Sequence, residues 1–296
     1  MKKSFVATAA GLLGYSIFGF SFLFSKLALE LASPFVLLSA RFLAAFLVMN
    51  LLLLTKKVRL SLRGKPVGSL LLLGLVQPVL YFIFETYGIA MTSASFSGVM
   101  IGLVPVMGLI FGVVFLKETC SKFQILCTLL SVVGVVMTTT GGFGAVSVPG
   151  FLLLLGAVVT AALFAILSRR TSAHFSAFER TYVMFALGCV VFPVVALVQG
   201  SDFSPLAMPQ FWGSVAYLAV ASSVCAFLLI NFALSHLSAG KALIFSNFTT
   251  VISVLAGIFL LGDTFSPVQL LGIAIITFSV FGVCVQKPSI DVSTSS

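Results

Sequence analysis

The chain holds 296 residues, 60% of them hydrophobic and only 8% charged, and its mean hydropathy is +1.24. A soluble globular domain carries about a quarter charged residues, so this composition excludes that class. The formal net charge of +9 raises nucleic acid as a partner, but the basic residues gather between apolar stretches, as those of a membrane protein do.

Ten apolar segments follow one another, at about 4–25, 34–54, 67–90, 95–116, 123–141, 149–168, 179–199, 210–235, 242–261 and 267–286. Each is long enough to cross a hydrocarbon core of about 30 Å. Backbone amides inside a bilayer must be satisfied within their own segment, and the short alternating strands of a barrel are absent from the pattern. The expected fold is an all-α polytopic membrane protein with ten transmembrane helices. Lys2-Lys3 before an apolar run has the look of a signal peptide, but Ala7-Thr8-Ala9 comes too early for cleavage, so the first segment is expected to be retained.

The first segment places Tyr15, Gly19, Phe22 and Lys26 on one helical face, with Lys26 near an end where it can snorkel to water. Arg41 lies inside the second. In the third, Gln77, Tyr81 and Glu85 are spaced four apart, share a face with Gly88, and flank Pro78, which removes one helical bond. Glu85 is the one acid well inside a segment. A charge at helix centre costs roughly 3 kcal/mol, so Glu85 is expected to face a cavity or a partner. At 1.5 Å per residue Arg41 and Glu85 lie roughly 10 and 7 Å deep, so an ion pair between them is geometrically open. Such a pair either holds the outer half together, or breaks during opening, or meets a zwitterionic solute.

The fourth segment carries Gly98, Gly102, Pro105, Gly108 and Gly112 within an arc of about 120°. Small residues let helices approach closely, so this face is expected to serve packing or hinging. The same face of the ninth segment reads Leu243, Asn247, Thr250, Ser253 and Gly257. Hydroxyls can bond back to their own helix; Asn247 does so less easily and is expected to line a cavity, with Thr250 and Ser253 beside it.

Residues 68–126, shifted by 145 without a gap, fall on 213–271 with 14 of 59 positions identical. Leu116-Lys117-Glu118-Thr119-Cys120-Ser121 meets Leu261-Gly262-Asp263-Thr264-Phe265-Ser266. Two five-segment units, 4–141 and 149–286, are therefore expected, followed by a disordered cytoplasmic tail at 287–296. An odd number of spans inverts the second unit. The loops agree: Lys56, Lys57, Arg59, Arg63 and Lys65 follow the second segment, while the counterpart near 200–209 has Asp202 and no base. With the N-terminus inside, 14 of the 16 basic residues, Arg169, Arg170 and Arg180 among them, fall in inside segments. Both termini are then expected in the cytoplasm.

Several of these residues carry a resemblance. Gly19-Phe20 with Lys26, Pro34 with Ala40-Arg41-Phe42, Ser93-Ala94-Ser95 leading to Pro105-Val106, Leu116-Lys117-Glu118-Thr119 with Gln124, and Ser238-Ala239-Gly240 leading to Leu261-Gly262-Asp263 with Gln269 and Gly272 resemble the drug/metabolite transporter superfamily, in particular its ten-helix EamA-type members. The sequence departs from the family at Thr250, where proline is usual, and at Asp263, where glutamate is usual. The first departure leaves open whether the ninth helix kinks as the fourth does near Pro105. The resemblance implies export or exchange of small organic metabolites such as amino acids across the cell membrane.

No nucleophile elbow, zinc-protease motif, Walker sequence or pair of intramembrane carboxylates is present, so no enzyme, cofactor or metal is expected. Cys120, Cys127, Cys189, Cys225 and Cys284 have no C-x-x-C spacing and read as small membrane-core residues, and His174 and His236 as solvated loop residues. The leading expectation is a secondary transporter working by alternating access as a monomer or homodimer, in a lipid bilayer, on a small-molecule substrate and with protons as a possible coupling ion. Tyr15, Gln77, Tyr81, Glu85, Asn247, Thr250 and Ser253 are its cavity candidates, Arg41 and Glu85 its gating or coupling candidates. A flippase for a lipid-linked sugar is the alternative.

Overall fold

A computed structural model describes residues 2–92, 97, 100–138, 147–261 and 266–285. Among the described residues there are helices and turns and no strand. In chain order the helices are α1 (Lys2–Leu29), α2 (Pro34–Leu54), α3 (Val67–Met91), α4 (Val104–Leu116), α5 (Lys122–Thr138), α6 (Val148–Thr171), α7 (Ala177–Val198), α8 (Pro209–His236), α9 (Ala239–Ile244), α10 (Asn247–Leu261) and α11 (Pro267–Val285). Six of them, α1, α2, α3, α6, α7 and α8, contain apolar stretches of 21 to 28 residues, long enough to cross a membrane. α4, α5 and α11 are apolar but shorter.

Six full-length spans thus stand where ten segments were expected. Part of the difference lies at 93–96, 98, 99, 139–146 and 262–265, which are outside the described residues and include Gly98, Asp263 and most of the 141–149 linker. The rest is physical. The ninth segment is not one helix: it turns at Phe245 and Ser246, between α9 and α10. The bonds there reach back three residues, Ser246 N–H to the Leu243 carbonyl at 2.9 Å and Thr249 N–H to the Ser246 carbonyl at 2.9 Å. The fourth segment turns in the same way at Gly102 and Leu103, ahead of Pro105, where Leu103 N–H donates to the Met100 carbonyl at 3.0 Å. A proline is therefore not required for the break: the ninth segment makes one although Thr250 stands in its place.

Two long spans are also irregular. α3 is wound more widely over Leu75–Leu80, and inside that stretch Gln77 is extended at φ −147° and ψ 118°. Pro78 has no N–H to continue the ladder and disfavours a helical backbone at the residue before it. α8 is widened over Tyr217–Cys225. Shifted by 145, Leu75–Leu80 falls at 220–225, within the widened part of α8.

Pro34, Pro149, Pro209 and Pro267 stand in the first turn of α2, α6, α8 and α11, where a missing N–H costs nothing. Ser176 and Glu179 cap α7 reciprocally: Glu179 N–H donates to Ser176 Oγ at 3.2 Å, and Ser176 N–H to Glu179 Oε2 at 2.8 Å. Lys65 reaches the same carboxylate at 2.8 Å, fastening the loop between α2 and α3 to the start of α7.

α1 packs on α8 and α10, while α6 packs on α3 and α4. The pairs α2–α7 and α5–α11 complete the bundle. The close fit of α1 on α10 depends on Gly19, because a Cβ there would lie 2.6 Å from Ile252 Cβ and 2.9 Å from the Thr249 carbonyl. Thr249 and Ser253 use that proximity, each donating at 3.0 Å to an α1 carbonyl, Tyr15 and Gly19 respectively. Leu47, Leu51, Leu54, Val114, Leu197, Val198, Phe278 and Phe281 face outward and exposed. So broad an apolar surface is stable against lipid rather than water.

Candidate functional site

The breaks in α3, at the fourth-segment turn and between α9 and α10 face one small cavity of about 40 Å³. From α1 and α3 come Tyr15, Phe18, Gln77 and Tyr81, and beside the fourth-segment turn stand Ile101 and Val104. Opposite are Ala161 and Phe164 of α6, Phe227 and Ile230 of α8, and Leu243, Ser246 and Thr249 around the α9–α10 turn. Irregular backbone in a membrane-spanning bundle is tolerated where it lines such a cavity, since polar groups freed from the helix ladder find partners there.

Two side-chain polar atoms on residues of this wall have no partner within the protein. Gln77 is 5% exposed and Ser246 is 3% exposed, yet Gln77 Oε1 and Ser246 Oγ accept or donate no hydrogen bond. An unmade bond on a buried polar atom costs about 1–3 kcal/mol, which a hydrogen bond to water or to a solute entering the cavity would offset. The remaining wall is apolar and aromatic. Phe227 is ringed by Phe18, Phe164 and Phe185 at centroid distances of 5.7 to 5.9 Å, all edge to face.

Of the cavity candidates read from sequence, Tyr15, Gln77 and Tyr81 line the wall together. Glu85 sits behind it, 3% exposed, accepting from Tyr81 Oη at 2.9 Å. Asn247, Thr250 and Ser253 are not among the wall residues. Asn247 is fully buried and donates to Ser131 Oγ on α5 at 2.6 Å, leaving its Oδ1 without a partner. Thr250 is buried and bonded within the protein, and Ser253 is committed to Gly19. Sequence reasoning singled out Asn247 rather than its neighbour Ser246, which lines the wall. The turn that aims Ser246 inward has no proline or paired glycines to announce it.

On the small-residue face, Gly102 and Gly108 admit Val135 and Leu243, whose methyls would lie 2.4 and 2.1 Å from an added Cβ. Pro105 occupies the first turn of α4, and Gly112 faces the Glu118 carboxylate.

Arg41 and Glu85 form no ion pair. The Arg41 guanidinium donates from Nε to Ser223 Oγ at 2.9 Å and from Nη2 to Ser222 Oγ at 3.0 Å, and lies over the Phe82 ring at 4.4 Å. It therefore ties α2 to the widened part of α8, and the aromatic face supplies part of the compensation that a carboxylate would have given. Arg180, read from sequence as a charge at the inner edge, is fully buried. It donates to the Ser168 carbonyl at 2.6 Å, the Asn231 carbonyl at 2.8 Å and Ser235 Oγ, joining α6, α7 and α8. Asn231 completes the knot through Ser168 at 2.6 Å and Thr181 at 3.0 Å. At the same end, burial and the neighbouring Glu118 push the Cys120 thiol up from its ordinary pKa.

A multi-span helical bundle whose spans break around a central, partly polar cavity has the construction of a membrane transporter. The comparisons agree with it. The model of the EamA-like transporter family matches residues 6–140 and again 148–285, and the chain belongs to that family. It is 34% identical to the uncharacterized transporter YcxC of Bacillus subtilis (strain 168), over 93% of this chain and 92% of that protein. It is 24% identical to the uncharacterized inner membrane transporter YedA of Escherichia coli (strain K12), over 92% of this chain and 89% of the other. A solved crystal structure superposes with a TM-score of 0.80 over 93% of this chain and 94% of that chain; at 18% identity the likeness is one of fold. The protein is a multi-pass membrane protein of a transporter family.

Proposed function

We propose that the protein is a secondary transporter that carries a small organic metabolite across the cell membrane by alternating access, as exporter or exchanger. The observation that carries the reading is the cavity itself, in which two buried polar atoms lack partners at the point where the spans break. Two units, 4–141 and 149–286, form its walls as inverted five-helix repeats with both termini in the cytoplasm. Three features support that arrangement: the widened stretches of α3 and α8 at matching positions, the pairing of α1 with α8 and α10 against that of α6 with α3 and α4, and the exposure of Lys56, Lys57, Arg59 and Arg63 in one loop. Rocking of the units would open the cavity to each side in turn.

Glu85 is the proton-coupling group in this scheme. It is a buried carboxyl joined to the cavity wall through Tyr81, and it has no cation in ion-pair contact. Counterflow by the purified protein in liposomes, read for a panel of amino acids, their amides and other neutral and charged small metabolites, tests the reading. Exchange of at least one solute above protein-free liposomes is expected. Sealed liposomes with no exchange of any solute would contradict it.

A further inference from the structure

We propose that the solute is an uncharged, apolar-bodied molecule carrying a hydrogen-bonding amide or hydroxyl group, not a free zwitterion. This rests on the transporter reading and narrows its substrate class. Among the described residues lining the cavity none is charged. Arg41 is held by Ser222, Ser223 and Phe82, and Glu85 lies behind Tyr81 and bonds to it, so neither charge is part of the wall. Moving an ammonium or carboxylate from water into such a site is costly unless it is paired there. A zwitterion would need both its charges matched, and the wall offers an amide, hydroxyls and rings.

What the wall does offer defines a neutral ligand. The Phe18, Phe164 and Phe227 cluster presents ring edges and faces to a flat apolar body. Gln77 Oε1 can accept and Ser246 Oγ can donate and accept, and neither has a partner within the protein. A few convergent polar groups in an apolar pocket fix orientation and select for a matching polar group. The two lie on opposite units, Gln77 on α3 and Ser246 between α9 and α10, so one bound solute bridges both.

Titration calorimetry on the protein in lipid nanodiscs, with empty nanodiscs subtracted, tests this with four probes that share a benzene ring: benzamide, N,N-dimethylbenzamide, benzoate and phenylalanine. Benzamide is expected to bind at least about tenfold more tightly than each of the others, the worth of one well-made hydrogen bond or more. In Gln77→Leu the preference for benzamide over N,N-dimethylbenzamide is expected to fall to about twofold or less, with binding of the dimethyl compound retained. That retained binding also reports a folded cavity. Tighter binding of benzoate or phenylalanine, equal binding of the two amides, a preference unchanged in Gln77→Leu, or no binding of any probe would each overturn the proposal. Counterflow of phenylalanine together with its tighter binding would overturn the proposal while leaving transport standing; absence of counterflow for every solute is the separate failure of the transport reading.

Discussion

Both carboxylate oxygens of Glu118 accept the backbone N–H of Ala239, at 3.0 and 3.1 Å. Glu118 follows α4 and Ala239 opens α9, so one side chain clasps the loop after α4 to the start of α9. Arg170 works at the same place, donating from the end of α6 to the Phe115 carbonyl at 2.5 Å. A carboxylate at a helix start satisfies N–H groups that have no partner within the helix. Glu118→Ala is expected to cost about 1 kcal/mol of local stability, and so to speed amide exchange in α9 about fivefold. Exchange by mass spectrometry reads this directly, and unchanged protection of 239–244 would show that the clasp contributes nothing.

Arg180 holds three helices through neutral acceptors only. Its removal takes away the charged donor shared by α6 and α8, leaving the Ser168 and Asn231 carbonyls only their own-helix donors, and empties the volume of a fully buried side chain. Arg180→Ala is expected to cost about 3 kcal/mol, seen as a lowered Tm in detergent. Arg180→Lys recovers little of it, because one ammonium cannot reproduce the planar fork that meets α6 and α8 together. A lysine variant with the parent Tm would contradict this account.

Gly19 and Gly108 both sit at close contacts, but with different neighbours. An added Cβ at Gly19 meets Ile252 Cβ and the Thr249 carbonyl, parts of α10 that cannot rotate away. Gly19→Ala is expected to cost about 2 kcal/mol and lower the Tm. At Gly108 the near atom is Leu243 Cδ1, the end of a side chain that can turn, and Leu243 lines the cavity. Gly108→Ala is therefore expected to spare the Tm more than Gly19→Ala does and to weaken solute binding. The two readouts together distinguish a packing contact from a cavity wall.

Glu85→Gln keeps an acceptor for Tyr81 and removes the proton-carrying group. Transport driven by a pH gradient is expected to be lost in this variant while solute exchange continues. Flux with the parent pH dependence would remove Glu85 from the coupling scheme.

Much of this arrangement was legible in the residues. The all-helical membrane fold, the six long spans and the shared face of Tyr81 and Glu85 follow from hydropathy and four-residue spacing, which act locally; the split of the ninth segment, expected as one span, does not. Pro78 marked the place where α3 breaks and Gln77 turns inward. Partners across the bundle were not legible. Arg41 had one acid at its depth, yet its hydrogen bonds go to Ser222 and Ser223, hydroxyls some 180 positions away that nothing in their local sequence sets apart. Arg180 resembled any basic residue near a membrane edge because its partners are three backbone carbonyls and two serine hydroxyls. Ser246 was overlooked for the same reason: in a run of small polar residues, the backbone turn decides which one faces the cavity.

Access to Ser246 from both sides of the membrane tests the central claim most directly. In a variant whose native cysteines are replaced, Ser246→Cys is exposed to a membrane-impermeant methanethiosulfonate reagent in vesicles of each orientation, with solute flux read afterwards. Alternating access through this cavity predicts modification from both sides, loss of flux on modification, and protection by transported solute. Modification from one side only, or undiminished flux after complete modification, would contradict it.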